Sequence, residues 1–220
     1  AILYRTSAQS RVLEERLVQQ RIPYRIYGGL RFFERMEIRD TLAWMRLLSN
    51  RDDDTAFERA LGTPPRGVGA TSLEKLRAAA RDAGTSLWAA SSQAESVIGR
   101  TAGKLRAFCQ LIEQLAGESR STPLSKMIER VIDVAGLREH YRKEKGEAGQ
   151  ARLDNLDELI SAAKAFEGDD VVLEDLDPLT VFLTHAALEA GEQQAGEGSD
   201  CVHLMTLHAA KGLEFETVFL

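Results

Sequence analysis

The sequence predicts an α/β layer interrupted by an all-α insertion. Short apolar runs of strand character occur only towards the two ends, at Ala1–Tyr4, Tyr24–Tyr27 and Val202–Thr206. From residue 52 to about residue 190 the apolar spacing is helical, with no convincing alternation. The stretch from Val202 to Leu220 then reads as strand, polar loop and strand, with no room for a full helix between. In an open α/β sheet ligands collect at the carboxyl ends of strands, where Thr206, His208 and Lys211 fall.

Ala1–Tyr4 reads as a buried strand. Ser7 can cap the following helix, whose inner face is Val12, Leu13 and Leu17, and Ile22-Pro23 ends it. Tyr24–Tyr27 is a second strand, closed by Gly28-Gly29. From Glu34 a helix carries Ile38, Leu42, Met45 and Leu48, and strand–helix–strand–helix fits an α/β layer.

After Asn50-Arg51-Asp52-Asp53-Asp54 the character changes. Asp54 caps a short helix (Ala56, Phe57, Ala60, Leu61) that stops at Gly62-Thr63-Pro64-Pro65. Ser72 starts another with Leu73, Leu76 and Ala80, ended by Gly84. Leu105, Phe108, Ile112 and Leu115 mark a longer helix. Met127, Ile128, Val131, Ile132 and Ala135 mark the next, with Gly136 just beyond it. Leu153, Leu156, Ile160, Ala163 and Phe166 form a further stripe. Asp177-Pro178 opens the helix of Leu179, Phe182, Leu183 and Ala186. The segments 167–177 and 191–200 are too polar to pack a core and read as surface connectors.

With 220 residues, 44% of them hydrophobic and 28% charged, the chain can bury a real core. No apolar run is long enough for a membrane span, so no membrane partner is expected. Cys109 and Cys201 lack metal-ligand spacing and read as reduced thiols in a cytoplasmic protein, so no metal site is predicted. The formal charge of −6 hides an asymmetry. Residues 1–51 hold ten arginines against five acids, whereas residues 167–200 hold ten acids and no Lys or Arg. Local fields, not the net charge, decide what a surface attracts. The chain opens on a strand without Met and stops inside an apolar run, so it is expected to be a piece of a longer protein.

Three segments carry candidate chemistry. Thr63-Pro64-Pro65-Arg66-Gly67-Val68-Gly69-Ala70-Thr71-Ser72 places two glycines around one apolar residue just before a helix. Such a turn can present backbone N–H groups to a phosphate beside the positive helix end, with Arg66, Thr71 and Ser72 as further donors. A tight helix–helix connection needing glycine for positive φ has the same spacing. Tyr27-Gly28-Gly29-Leu30-Arg31-Phe32-Phe33-Glu34-Arg35 offers either a stacking face for single-stranded nucleic acid or two core phenylalanines at a helix start. The third segment is the Thr206–Glu214 loop. His208 has no second ligand at metal spacing, and Lys211-Gly212 is not a phosphate-binding Walker loop. Gly99-Arg100-Thr101-Ala102-Gly103-Lys104-Leu105 resembles one superficially, but its spacing is wrong and it ends in Leu where Ser or Thr is required. No catalytic set is complete in this chain.

Taken together these segments resemble the UvrD/Rep/PcrA-type superfamily 1 DNA helicases. Thr206-Leu207-His208-Ala209-Ala210-Lys211-Gly212-Leu213-Glu214-Phe215 is similar to motif V, Tyr24 to Asp40 to the motif IVa region, and Thr63 to Gly69 to the duplex-contacting loop, with Val68 for Ile. Ala1–Arg11 and Phe182–Glu189 also match the family's wording, so the resemblance spans the chain in order. It implies a RecA-like parallel-sheet domain, 2A (residues 1–51 and 198–220), interrupted by a helical domain, 2B (residues 52–197).

For the parent enzyme the resemblance implies ATP- and Mg2+-dependent 3′-to-5′ movement on single-stranded DNA, with duplex unwinding in repair. Thr206, His208 and Arg31 are then expected at single-stranded DNA, and Lys211, Gly212 and Glu214 at the nucleotide. Arg66, Gly67, Val68, Gly69 and Thr71 are expected at duplex DNA. The Walker residues belong to domain 1A, so this piece alone is expected to be inactive. The implied partners are DNA, domains 1A and 1B of the same chain, and repair proteins or a second copy. The implied location is the bacterial cytoplasm, at the nucleoid. The alternative is a non-catalytic regulatory or protein-interaction module of a helicase.

Overall fold

The computed structural model describes residues 1–27, 29–168, 177–191 and 200–220. Most of the two acidic connectors, and Gly28 of the Gly28-Gly29 turn, lie outside the described residues. The elements are β1 (Ile2–Tyr4), α1 (Ser10–Gln19), β2 (Tyr24–Ile26), α2 (Met36–Ser49), α3 (Asp54–Gly62), α4 (Ala70–Ala83) and α5 (Leu87–Ala90), followed by α6 (Ala94–Ile98), α7 (Ala102–Ser119), α8 (Leu124–Val134), α9 (Leu137–Arg142), α10 (Glu147–Gly168), α11 (Pro178–Gly191) and β3 (Val202–Thr206). The chain is mostly helical with a small parallel sheet. No helix among the described residues is long and apolar enough to cross a membrane.

The sheet order is β1-β3-β2, with both pairings parallel. Parallel neighbours need a crossover. The segment containing α1 connects β1 to β2, and the whole helical body lies between β2 and β3. The last strand therefore enters the middle of the sheet, where Leu204 and Met205 are fully buried. The expected strand at Thr217–Leu220 reduces to one bridge, Phe219 to Ile2, on the outer side of β1.

Among the described residues there are two hydrophobic cores. The smaller joins Tyr4, Leu17, Tyr24, Ile26 and Leu204, placing α1 against the sheet. The larger belongs to the helices and includes Ile38, Trp44, Phe57, Leu105, Ile128 and Leu156. α2 lies inside this larger core, so packing divides near Arg31–Phe32 and not at residue 51. A sheet-covering helix buries one stripe, whereas α2 buries ten of its fourteen residues. The stripe Ile38, Leu42, Met45 and Leu48 was legible in the sequence. Trp44 and Leu47, buried on the helix's other sides, make it a central helix.

Local chemistry explains several boundaries. Asp53, not Asp54, caps α3, accepting from the Ala56 N–H at 2.9 Å. Asp54 instead accepts from Leu87 N–H at 2.8 Å and ties α3 to α5. Gly84 ends α4 at φ +62, and Gly136 follows α8 at φ +76, both in the left-handed region glycine favours. Ser7 begins a 3-10 turn, and α1 starts at Ser10. α5, α6 and α9, at four to six residues, are too short to show an apolar period and escaped the sequence reading.

The two cores meet across a polar seam. Arg35 donates to Ser10 Oγ on α1 at 2.6 Å and to Asn155 Oδ1 on α10 at 2.9 Å. Asn155 donates in turn to Glu37, which also pairs with Arg152 at 2.8 Å. Glu14 accepts from the Phe32 N–H at 3.2 Å. Burial pushes the Arg35 guanidinium pKa down, opposed chiefly by the Glu14 charge.

Candidate nucleic-acid and nucleotide interface

Because β1, β3 and β2 run in parallel, their carboxyl ends share one edge, and Thr206 pairs with Tyr4 there. Leu207 N–H donates to the Tyr4 carbonyl at 3.0 Å, continuing the register one residue past β3. The chain then turns on itself. Thr206 Oγ1 accepts from Ala209 N–H at 3.2 Å, and Ala210 N–H donates to the Thr206 carbonyl at 3.1 Å. Lys211 N–H reaches the His208 carbonyl at 3.3 Å, and Gly212 sits at φ +85. Phe215 packs edge-on against His203, with ring centroids 5.5 Å apart, and anchors the far end of the loop.

The consequence is a loop braced by its own backbone with its polar side chains outward. His208, Lys211, Gly212 and Glu214 are exposed, while Thr206 is half-buried and serves as the brace. A β-carbon on Gly212 would meet nothing within 4 Å, so the loop leaves open space there. An ammonium, an exposed glycine backbone and a carboxylate suit phosphate oxygens and sugar hydroxyls. They line an open surface, not an enclosed cavity.

The glycine turn lies between α3 and α4. Val68 packs against the larger core and fixes the turn. Gly67 takes φ +73. Gly69, at φ −82 and ψ 170, occupies the N-cap position of α4 without a side chain to cap it. Its carbonyl accepts from Ser72 and Leu73 N–H at 3.0 and 3.1 Å. The first turn of α4 holds no acid, Thr71 is exposed, and a β-carbon on Gly69 would meet nothing within 4 Å. The positive end of a fourteen-residue helix is thus open to an anion.

Two arginines depart from expectation. Arg66 does not project from the turn. Its guanidinium stacks on Trp44, donates to the Ala135 carbonyl at 2.8 Å, and has its pKa lowered by burial. Arg31 is only 5% exposed, with its guanidinium donating to the Ala190 carbonyl and to Glu34 at 3.2 Å. A donor already spent inside the protein is not presented to a DNA strand, so the geometry does not support the single-strand role expected of Arg31. Phe32 and Phe33, the neighbouring rings, are core residues.

The structure also assembles a basic cavity that the sequence reading missed. Arg39 and Arg46 of α2, with Arg59 of α3, border a space of about 480 Å3 walled by small residues such as Ala43, Ala56 and Ala187. Arg59 is paired with Asp40 at 2.6 Å. Arg39 and Arg46 enter no ion pair among the described residues. Their signal was present as two arginines seven apart, two turns along one helix face. In the linear sequence the pair is submerged among the ten arginines of residues 1–51.

The family model for the UvrD-like helicase C-terminal domain matches residues 1–220. The chain belongs to this family. DNA helicase II of Escherichia coli (strain K12) is 53% identical over 223 aligned residues, covering all of this chain and 31% of the relative. DNA helicase II of Haemophilus influenzae is 49% identical, with 100% and 30% covered. The ATP-dependent DNA helicase PcrA of Bacillus subtilis is 43% identical, again over 100% and 30%. This UvrD-like chain therefore spans under a third of the length of the curated relatives it matches.

Proposed function

We propose that this chain is the DNA-gripping and coupling portion of an ATP-dependent DNA helicase that moves 3′ to 5′ on single strands and unwinds duplex in repair. In this reading residues 1–51 and 198–220, with the small parallel sheet, are parts of the RecA-like domain 2A, and residues 52–197 are the inserted helical domain 2B. Family membership and the names of the relatives support it. The observation that carries it is the exposed Thr206–Glu214 loop, sprung from the carboxyl end of the central strand.

Thr206 and His208 are assigned to single-stranded DNA. Lys211, Gly212 and Glu214 are assigned to the nucleotide, with Glu214 accepting from ribose hydroxyls and Lys211 facing phosphate. ATP with Mg2+, when bound, supplies the driving force by phosphoryl transfer to water. The residues that complete that site are assigned to domain 1A of a longer chain, acting beside 1B in the bacterial cytoplasm, at the nucleoid. Gly67, Gly69 and Thr71 hold duplex backbone without reading sequence. Val68 anchors their turn and Arg66 pins it from inside. Arg39 and Arg46 add cationic surface on the same helical body.

Gly69→Asp tests the duplex reading. The site is open and Asp is a good N-cap residue, so folding stability is kept or rises by a few tenths of a kcal/mol. The new carboxylate repels phosphate, so duplex affinity falls and the salt dependence flattens. Unchanged affinity would remove the turn from the DNA interface. In the complete enzyme, His208→Ala should reduce unwinding more than nucleotide affinity, and equal losses would count against a coupling role.

A further inference from the structure

The segment Gly99–Lys104, a failed likeness of a nucleotide loop, folds against the glycine turn. It forms a 3-10 turn, Gly99–Thr101, that runs into α7. The Thr101 and Ser72 hydroxyls meet at 3.4 Å. A β-carbon built on Gly67 would fall 2.5 Å from Lys104 Nζ and 2.9 Å from its Cδ, so the lysine stem lies directly over that glycine. Arg100 lies one helical turn before Lys104. Both are exposed, and neither takes part in an ion pair among the described residues.

This bears on charge. The segment from Thr63 to Ser72 contains one cation, Arg66, and that guanidinium is turned onto Trp44. The turn therefore presents neutral donors but no outward charge of its own. The cations beside it come from a different part of the chain, the approach to α7.

We propose that Arg100 and Lys104 are the charged arm of the duplex grip, contacting phosphates next to those held by the Gly67–Thr71 turn. This rests on the duplex reading of the turn and adds a second, separately encoded element to it. The ligand is the backbone of double-stranded nucleic acid, recognised without regard to sequence. The arginine fork suits paired phosphate oxygens, and the ammonium adds a compact point charge. Gly67 then has two reasons to lack a side chain. Its φ is positive, and any β-carbon would displace the Lys104 stem.

The test is binding of a short labelled duplex of arbitrary sequence to the 220-residue chain, between about 50 and 200 mM salt. Compared are wild type, Arg100→Ala, Lys104→Ala, the double variant, Lys104→Arg and Gly69→Asp. Each alanine should lower the slope of log affinity against log salt by about 0.9, or roughly 3.5-fold less affinity lost across that range. The double variant should lose about twice as much, and Lys104→Arg should restore the wild-type slope. Melting should not change, since both side chains are exposed.

If the double variant keeps the wild-type slope while Gly69→Asp weakens binding, the turn's grip stands and the charged arm is overturned. If wild type does not bind duplex, or Gly69→Asp is without effect, the duplex reading fails and takes this inference with it. An equal loss towards a polyglutamate probe would make the pair a general anion surface, which also overturns the proposal.

Discussion

The guanidinium carbon of Arg66 lies 4.4 Å from the centroid of the Trp44 ring and 5.8 Å from that of Phe108, while its Nη2 donates to the Ala135 carbonyl at 2.8 Å. A residue of the glycine turn thus closes the core beneath that turn. Arg66→Ala should cost about 2 kcal/mol, from a desolvated cation–π contact and one hydrogen bond to a carbonyl. Arg66→Lys should recover less than half of this, because an ammonium lacks the planar stack and the fork. Thermal melting of the two variants checks both statements. The effect on duplex affinity should track the loss of folded protein.

The two glycines of the turn should behave differently. Gly67→Ala forces a left-handed backbone on a β-carbon and pushes into Lys104, and should destabilise by about 1 kcal/mol or more. Gly69→Ala, at φ −82 with open space around it, should cost about 1 kcal/mol or less, through weaker N-cap propensity alone. Urea midpoints of the two variants, measured side by side, check the order.

The seam between the cores depends on Arg35. Its removal leaves Glu14 buried without its cation and Asn155 without a donor to its Oδ1. Breaking a buried pair by deleting one partner costs about 3–5 kcal/mol, because the remaining charge is stranded. Arg35→Ala should therefore shift the denaturation midpoint far more than Arg138→Ala, which removes two exposed surface ion pairs.

Alkaline pH should weaken the small core. Burial pushes the Tyr24 hydroxyl up to about 12, helped by the Glu14 charge and opposed by the Arg31 guanidinium. In the unfolded chain a tyrosine ionises near its ordinary value of about 10. The folded state holds this proton more tightly, so its contribution is complete below about pH 10 and is lost as pH rises towards 12. Tyr4 and Tyr141 are raised in the same direction. Unfolding in urea at pH 8 and at about pH 11.5 should show a smaller loss for Tyr24→Phe than for wild type.

Much of this was legible in the sequence because it is periodic or local. Strand runs at the two ends and helical spacing between them require an insertion. The glycines at 84 and 136 announce the ends of their helices through left-handed backbone that other residues avoid. The family-like segments put candidate chemistry at Thr206–Glu214 and at Arg66–Thr71; the first is an exposed loop and Gly69 and Thr71 lie at an open helix end, whereas Arg66 turns inward.

What only the tertiary structure decided is where each charged side chain points and what else stands beside it. Sequence spacing gives the face of a helix but not which neighbour covers that face. Arg66 and Arg31 looked like DNA contacts, yet a tryptophan ring and a distant carbonyl claim their guanidinium groups. Lys104, part of a segment that only superficially resembles a nucleotide loop, comes to lie on Gly67 because α7 packs beside the turn. The extent of the helical core was decided in the same way. α2 reads as one stripe, but burial on its remaining sides comes from helices far along the chain, and no local pattern encodes their arrival.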